Sequence, residues 1–480
     1  MNNDVILVVD FGTSKVRGNI ISIENGDLLA TSSRSYPMIE PQFGYAEVSA
    51  KLLFENAQRC VGEVWNPNKY HVKAISFSFF GDNIIFVDKN GEPLTDFIIS
   101  YDKRSAKETK EIVDKVSQDT ILTKCGVAYG PTIAGNILWF KNNCPDLYAK
   151  CAGIHSCQGY VLSKLGLKPL NDYSLASRKF TFDIRTREWD EELMAITGTT
   201  REMLGEIVDD FTVVGKITHF GDVQLGEEVP VVVGSFDCAA GILAGGAIPS
   251  NHNIISDVTG TYDHLGFIVG EINNYKKELK DVKKTMSVPG QWRNASVGIG
   301  AVASSGATID WFIRQFMNGD FKNGYDHIWG AVDFEHPGYL KVNPKLWAYW
   351  GSIGGIGIST TKEDIFKSLV EALTYEMRLV LESHIKAKGT VDTKVVLGGG
   401  AAKSPKWTQL RADIANVPFE VLRNTEVSSL GAAEVAAVAI GAYDSIEEAI
   451  AHMSVVKDVY VPRKEIHELY EEDFKRYIGG

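Results

Sequence analysis

Residues 4–17 read Asp-Val-Ile-Leu-Val-Val-Asp-Phe-Gly-Thr-Ser-Lys-Val-Arg, and the fold turns on this stretch. The run from Val5 to Asp10 predicts a strand, Gly12 a turn, and Arg17 to Glu24 a returning strand. Asn25-Gly26 supplies a second turn and Leu28 to Tyr36 a third strand, so the chain opens as an antiparallel meander. A helix is expected over Ala50 to Val64, then a buried strand over Val72 to Phe80. A hairpin of Ile84–Val87 against Phe97–Ser100, turned at Asp88-Lys89-Asn90-Gly91, follows.

The same logic restarts in the second half. Pro230 to Gly234 is a short β-branched run ending in Ser235-Phe236-Asp237, and the small residues Cys238 to Gly246 suit a tightly packed helix. Asn253 to Thr259 then reads as a strand, Gly260-Thr261 as a turn and Gly266 to Val269 as the returning strand. Further on, Lys362 to Ile385 has the apolar spacing of one long amphipathic helix. Lys394 to Leu397 is a strand running into Gly398-Gly399-Gly400, a helix begins near Ser404, and a small-residue helix covers Leu430 to Ala442. Gly and Pro punctuate the chain near Gly246 to Ser250, which divides it into residues 1–247 and 248–480.

A length of 480 residues exceeds what one core usually supports, so two lobes are expected. A formal net charge of -12 argues against a nucleic-acid partner, whose recognition needs clustered Lys and Arg. Any nucleotide must then be gripped by local backbone donors and a bridging cation. The six cysteines have no paired metal-site spacing and read as reduced thiols. The first residues show no secretory pattern, and no apolar run approaches the ~18 residues a membrane span needs. The cytoplasm is the default compartment.

Four segments carry chemistry. In Asp10-Phe11-Gly12-Thr13-Ser14, the turn amides and hydroxyls can form an anion-binding nest, with Asp10 facing phosphates through a metal; the same residues also make a plain hairpin turn. Thr259-Gly260-Thr261 repeats that turn in the second half, as a phosphate chain gripped from both sides requires. Asp237 ends a buried strand where ligands sit in α/β sheets, and it suits a general base for a hydroxyl. It is equally suited to capping the helix that follows, and the two roles are compatible. Gly398-Gly399-Gly400-Ala401 clears side chains from a strand–helix junction where a flat ring could lie.

With these segments in this order, the chain resembles the FGGY carbohydrate kinases. The likeness extends to Gly44-Tyr45-Ala46-Glu47, to Gly91-Glu92-Pro93-Leu94 with Asp102 and Arg104, and to Asp172-Tyr173-Ser174-Leu175-Ala176-Ser177. It continues through Phe182-Asp183-Ile184 and Trp189-Asp190 to Trp407 and Ala412-Asp413. The resemblance implies an α/β fold of two actin-like, ribonuclease-H-like lobes (the ASKHA type) with an inter-lobe cleft. Residues 1–247 would bind sugar and carry the catalytic base Asp237, and residues 248–480 would bind nucleotide. ATP and Mg2+ are the implied cofactors, Asp10 acting through phosphate-bound magnesium. Thr13, Gly260 and Thr261 would hold the phosphate chain, Gly12, Ser14, Arg17, Ser305 and Gly306 would belong to the same cofactor site, and Gly399, Gly400 and Ala401 would border the adenosine. The acceptor would be a small sugar, sugar acid or polyol, with a homodimer as the implied assembly and no nucleic acid or membrane partner.

Substrate identity is where the sequence leaves the family pattern. Ser78-Phe79-Phe80-Gly81-Asp82-Asn83 replaces the Ser-Gly-Gln-Met-His-Gly of xylulokinases, and Ser100-Tyr101 stands where many members carry Trp. Cys238 follows the base in place of Asn or Gln, Asn136 replaces Lys and Gly159 replaces Asp. Phe80, Asp82, Asn83, Asp102, Arg104, Asp237 and Cys238 are the expected acceptor contacts. Cys238 also reads as a small buried hydrophobe, Asp82 and Asn83 as turn residues, and Arg104 with Asp102 as a surface bridge. His155, His252 and His264 read as structural. A xylulose-like ketose or an aldonate is favoured, with a glycerol or erythritol kinase or an autoinducer-2-type signal kinase as alternatives. An actin-like ATPase without an acceptor is the reading from another class, and Asp237 speaks against it.

Overall fold

The computed structural model describes residues 4–126, 130–260, 262–271, 285–292, 295–302, 305–338, 342–347, 350–389 and 392–479. The first sheet opens with the expected meander, β1 (Asp4–Phe11), β2 (Lys15–Ser22) and β3 (Leu28–Ser35). Helix α1 (Ala50–Val64) is capped by the Ser49 hydroxyl, which accepts from Leu52 N, and its apolar stripe of Leu53, Ala57, Cys60 and Val64 is buried. β4 (His71–Phe79) then runs parallel to β1. The outer edge is a hairpin of β5 (Val213–Phe220) and β6 (Val223–Val232), and β7 (Ser235–Phe236) joins β4 in parallel. The strand order is β5-β6-β4-β1-β2-β3.

Helix α2 (Asp237–Ala244) leads out of this sheet. The second sheet repeats the pattern, with β8 (Ile254–Thr259), β9 (Asp263–Glu271), β10 (Thr285–Trp292) and β11 (Ala295–Val302). After helices α3 (Ser305–Phe316) and α4 (Lys362–Lys388), β12 (Lys394–Gly399) runs parallel to β8. Helix α5 (Pro405–Ala415), β13 (Phe419–Leu422), helix α6 (Val427–Ala439) and β14 (Val456–Tyr460) complete the lobe. The order β10-β11-β9-β8-β12-β13-β14 again flanks a meander with parallel strands. Among the described residues no helix is long and apolar enough to cross a membrane.

The two small-residue helices cross where the lobes meet. α2 packs on β8 and β9 of the second sheet, whereas α6 packs on β1 and β4 of the first. Their backbones nearly touch: a β-carbon on Gly431 would lie 1.9 Å from Ala240 O. Only glycine allows this approach. Asn19 Nδ2 donates to Ser429 Oγ at 2.8 Å and Asn424 Nδ2 to Gly26 O at 2.9 Å, stitching one edge of the interface.

Two expectations need correction. The turn at Asp88–Gly91 forms, with Gly91 N donating to Asp88 O at 3.0 Å, but of Asn83–Val87 the strand Phe97–Ile99 meets the Asn83–Ile84 end alone, and it pairs on its other side with Glu47–Val48. The chain spends Glu92 to Asp96 outside the ladder because Val87 bridges Pro93 instead. Arg104 and Asp102 are paired at 2.8 Å but not on the surface: both side chains are buried. Arg104 also donates to Glu47 Oε1 and lies 4.1 Å over the Tyr45 ring, so the pair clamps the Gly44–Glu47 loop, whose Ala46 N donates to Asp102.

Candidate active site

A cleft of about 410 Å³ lies between the sheets. On the first-lobe wall, β1 delivers Asp10 with its two neighbours in register, Arg17 on β2 and Ser78 on β4. Arg17 Nη1 donates to Asp10 Oδ2 at 2.8 Å and the Ser78 hydroxyl to Oδ1 at 2.8 Å. The carboxylate is therefore fixed by the sheet rather than by the turn. The turn itself is closed by Gly12 N donating to Lys15 O at 2.9 Å, and the Tyr36 hydroxyl donates to Gly12 O. Gly12, Thr13 and Ser14 line the cleft.

The second-lobe wall is built in the same way at the ends of β8 and β12. Gly260 N donates to Tyr262 O at 2.7 Å, and Gly306 N, at the start of α3, donates to Gly260 O at 3.1 Å. Thr259 and Gly399 pair across the parallel strands. Gly399 has φ +83°, and a β-carbon there would stand 1.9 Å from Thr259 O, so the close crossing needs glycine. Thr259 binds the loop twice: its hydroxyl donates to Gly398 O at 2.6 Å and accepts from Ala401 N at 2.9 Å.

Asp237 stands between the walls as the first residue of α2. Phe236 occupies the cap position, so Asp237 is not the N-cap; its Oδ1 accepts from Cys238 N at 2.6 Å. The preceding Gly234, at φ +79°, would clash with Phe77 O if it carried a β-carbon, and this turn sets the direction of the carboxyl. Asp237 keeps part of its surface open to the cleft. Its pKa is pushed up to about 8, first by burial and then by the Asp10 carboxylate, with Asp82 adding to it and the Cys238 N–H opposing it.

The structure thus brings Asp10, Gly12, Thr13, Ser14, Arg17, Asp237, Cys238, Gly260, Gly306, Gly399 and Gly400 to one cavity. Ser305 and Ala401 are buried directly behind it. Thr261 lies outside the described residues. Phe80, Asp82, Asn83, Asp102 and Arg104 do not line it. Asn83 is spent on the fold, donating to Phe80 O at 2.7 Å and accepting from Cys157 N at 2.7 Å. Asp82, at φ +48°, is gripped by Arg178 through Nε at 2.8 Å and Nη2 at 3.2 Å.

Sequence reasoning missed several cleft residues. Tyr101 from the first lobe and Tyr262 from the second both line the cleft and stack, with centroids 6.4 Å apart and planes at 21°. His264, read as structural, lines the cleft, and burial pushes its pKa down to about 4. Lys403 and Glu426 pair at 2.8 Å on the far rim. Only Tyr101 carried a signal, as a departure beside the Asp-x-Arg segment; the others become visible once two distant strands are brought together.

Comparison with known proteins agrees with this architecture. Residues 5–244 match the N-terminal domain, and 348–440 the C-terminal domain, of the FGGY family of carbohydrate kinases. The chain is 25% identical to the xylulose kinase of Bacillus subtilis (strain 168) over 488 residues, covering 98% of this chain and 95% of that one. It is 24% identical to the glycerol kinase of Staphylococcus haemolyticus (strain JCSC1435), covering 99% and 96%. The crystal structure of gluconate kinase from Lactobacillus acidophilus superposes with a TM-score of 0.83 at 21% identity, covering 99% of this chain and 97% of that one. The ligand-bound xylulose kinase from the same organism gives 0.81 at 21%, with the same coverage.

Proposed function

Because the chain belongs to the FGGY family of carbohydrate kinases, phosphotransferases with an alcohol group as acceptor, we propose that it transfers the γ-phosphoryl group of MgATP to a hydroxyl of a small uncharged ketose or polyol. The observation that carries the reading is the convergence in one cleft of the Gly12–Ser14 turn, Gly260 and Gly399–Gly400 around the carboxyl of Asp237. Residues 1–247 hold the acceptor and the base, and residues 248–480 hold the nucleotide. Asp237 takes the hydroxyl proton, the two turns align the phosphates, and the closed lobes exclude water. Asp10 suits a magnesium ion bound mainly through phosphate oxygens and water, since a single carboxylate is a typical protein contribution for that ion. Such a metal would neutralise charge on the phosphates.

Three observations favour an uncharged acceptor over an aldonate. Arg104 is consumed by Asp102 and Glu47, away from the cleft. Arg178 is bonded to Asp82. His264, with its pKa near 4, adds no positive charge at neutral pH. Arg17 is likewise held by Asp10, so these guanidiniums are already committed to carboxylates of the protein itself. A coupled ADP-release screen across ketoses, polyols and aldonates tests this: turnover is expected with neutral acceptors, and preference for an aldonate would overturn the charge argument.

A further inference from the structure

Beneath the Gly260 turn, three charged side chains from distant parts of the second lobe meet without access to solvent. Arg411, on α5, donates from Nη1 to Asp257 Oδ2 at 2.7 Å and from Nη2 to Asp263 Oδ2 at 2.6 Å. The exposures of the three side chains are 0%, 0% and 1%. Asp257 lies on β8 and Asp263 begins β9, so the two carboxylates stand on opposite arms of the hairpin whose tip is the Gly260 turn. The last ladder pair of that hairpin is Thr259 with Asp263. The guanidinium carbon lies over the Trp407 ring, 4.5 Å from its centroid, and Trp407 Nε1 donates to the Thr374 hydroxyl at 3.0 Å.

Such a triad is a poor device for stability. Removing two carboxylates and a guanidinium from water costs several kcal/mol per ion, and apolar residues of similar volume serve a core as well or better. Here the pairing is incomplete too: Asp257 Oδ1, Asp263 Oδ1 and Arg411 Nε have no hydrogen-bond partner among the described residues. What a fork on two carboxylates provides is geometry, because its two parallel bonds fix the distance and the plane between the groups it joins. Those groups are the arms of one nucleotide-facing turn. The helix that carries Arg411 follows directly on the other, the Gly398–Ala401 loop, to which Thr408 of the same helix is also tied through Ala401 O at 3.4 Å.

We propose that Arg411, with Asp257 and Asp263, is a positioning residue for the nucleotide: it sets the width of the Gly260 hairpin and its register against the Gly398–Ala401 loop, without touching the nucleotide. The inference rests on the reading of the Gly260 turn as a phosphate seat. It predicts an effect confined to one of the two substrates, which a merely space-filling triad does not produce.

The test compares full-length variants in steady-state kinetics with both substrates varied. Arg411→Lys keeps the charge and loses the fork; a second variant, Asp257→Leu with Arg411→Met and Asp263→Val, replaces the triad by apolar residues. The KM for MgATP is expected to rise about tenfold or more in both, with the acceptor KM and the melting temperature of the apolar variant close to those of the parent. An unchanged MgATP KM, or parallel movement of both KM values, overturns the proposal. Gly260→Val separates its failure from failure of the underlying reading. A β-carbon at Gly260 meets nothing nearer than Tyr262 O at 3.8 Å, so the turn has room for a side chain at its mouth. A raised MgATP KM for Gly260→Val alone sinks the triad, whereas no change for Gly260→Val sinks the phosphate seat itself.

Discussion

Asp237 faces two demands that pull apart. To accept a proton it must be ionised, yet burial and the neighbouring Asp10 push its pKa up to about 8. In the free protein at neutral pH it is therefore mostly protonated, and activity is lost as pH falls through that value. We expect kcat/KM to rise with pH through a single ionisation well above the ordinary carboxylate range. A flat profile through neutral and mildly alkaline pH would exclude Asp237 as the titrating base. Asp237→Asn keeps the shape and the Cys238 N–H contact but abolishes basicity, so phosphotransfer should fall by about 10²–10⁴-fold, the usual contribution of a positioned base. Binding of MgATP, measured by calorimetry, should stay close to the parent's, because the phosphates are held by the two turns. A large loss of MgATP affinity would instead make Asp237 part of the nucleotide site.

At the scale of elements, the crossing of α2 and α6 depends on the absence of side chains. Gly431→Ala places a methyl group 1.9 Å from a backbone carbonyl, and no rotamer change can relieve that. The helices must separate, at a cost of about 1–3 kcal/mol typical of overpacking, readable as a lower urea midpoint. Gly330→Ala is the control: it lies in the helix Asn323–Ala331 with nothing within 4 Å of the added carbon, and should be neutral or slightly stabilising. Equal destabilisation by both substitutions would show that the crossing has no special tolerance limit. These helices were legible in the sequence as small-residue runs, and the meanders as alternating strand and Gly turn, because both signals are local. α4 was equally legible, closed at its start by Thr361 and Asp364 bonding each other's backbone amides. The β5–β6 hairpin was only half seen: β5 is an exposed edge with mixed polar residues, so no apolar pattern announces it. Asp257, Asp263 and Arg411 were not seen at all. A buried charge is recognisable only with its partner, and here the partner lies 154 residues away from Asp257.

Across the whole molecule, the two lobes are tied together at more than one place. Asn19 to Ser429, Asn424 to Gly26 and the Tyr443 hydroxyl to Ile23 O at 2.7 Å hold the edge next to the α2–α6 crossing. At the cleft, the lobes also meet through the Tyr101 and Tyr262 rings. Both rings of the pair line the cleft that holds Asp237. If the pair seals the closed cleft, its loss should uncouple the reaction rather than merely slow it: the γ-phosphoryl group becomes open to water whenever the acceptor hydroxyl is absent or displaced. Tyr101→Ala leaves both phosphate turns, Asp10 and Asp237 in place, so MgATP affinity should hold. We expect the acceptor KM to rise and acceptor-independent ATP hydrolysis to increase severalfold relative to phosphotransfer, measured as ADP formed against sugar phosphate formed in the same reaction. A variant that slows both outputs in proportion would mean that the ring orients the acceptor without excluding solvent.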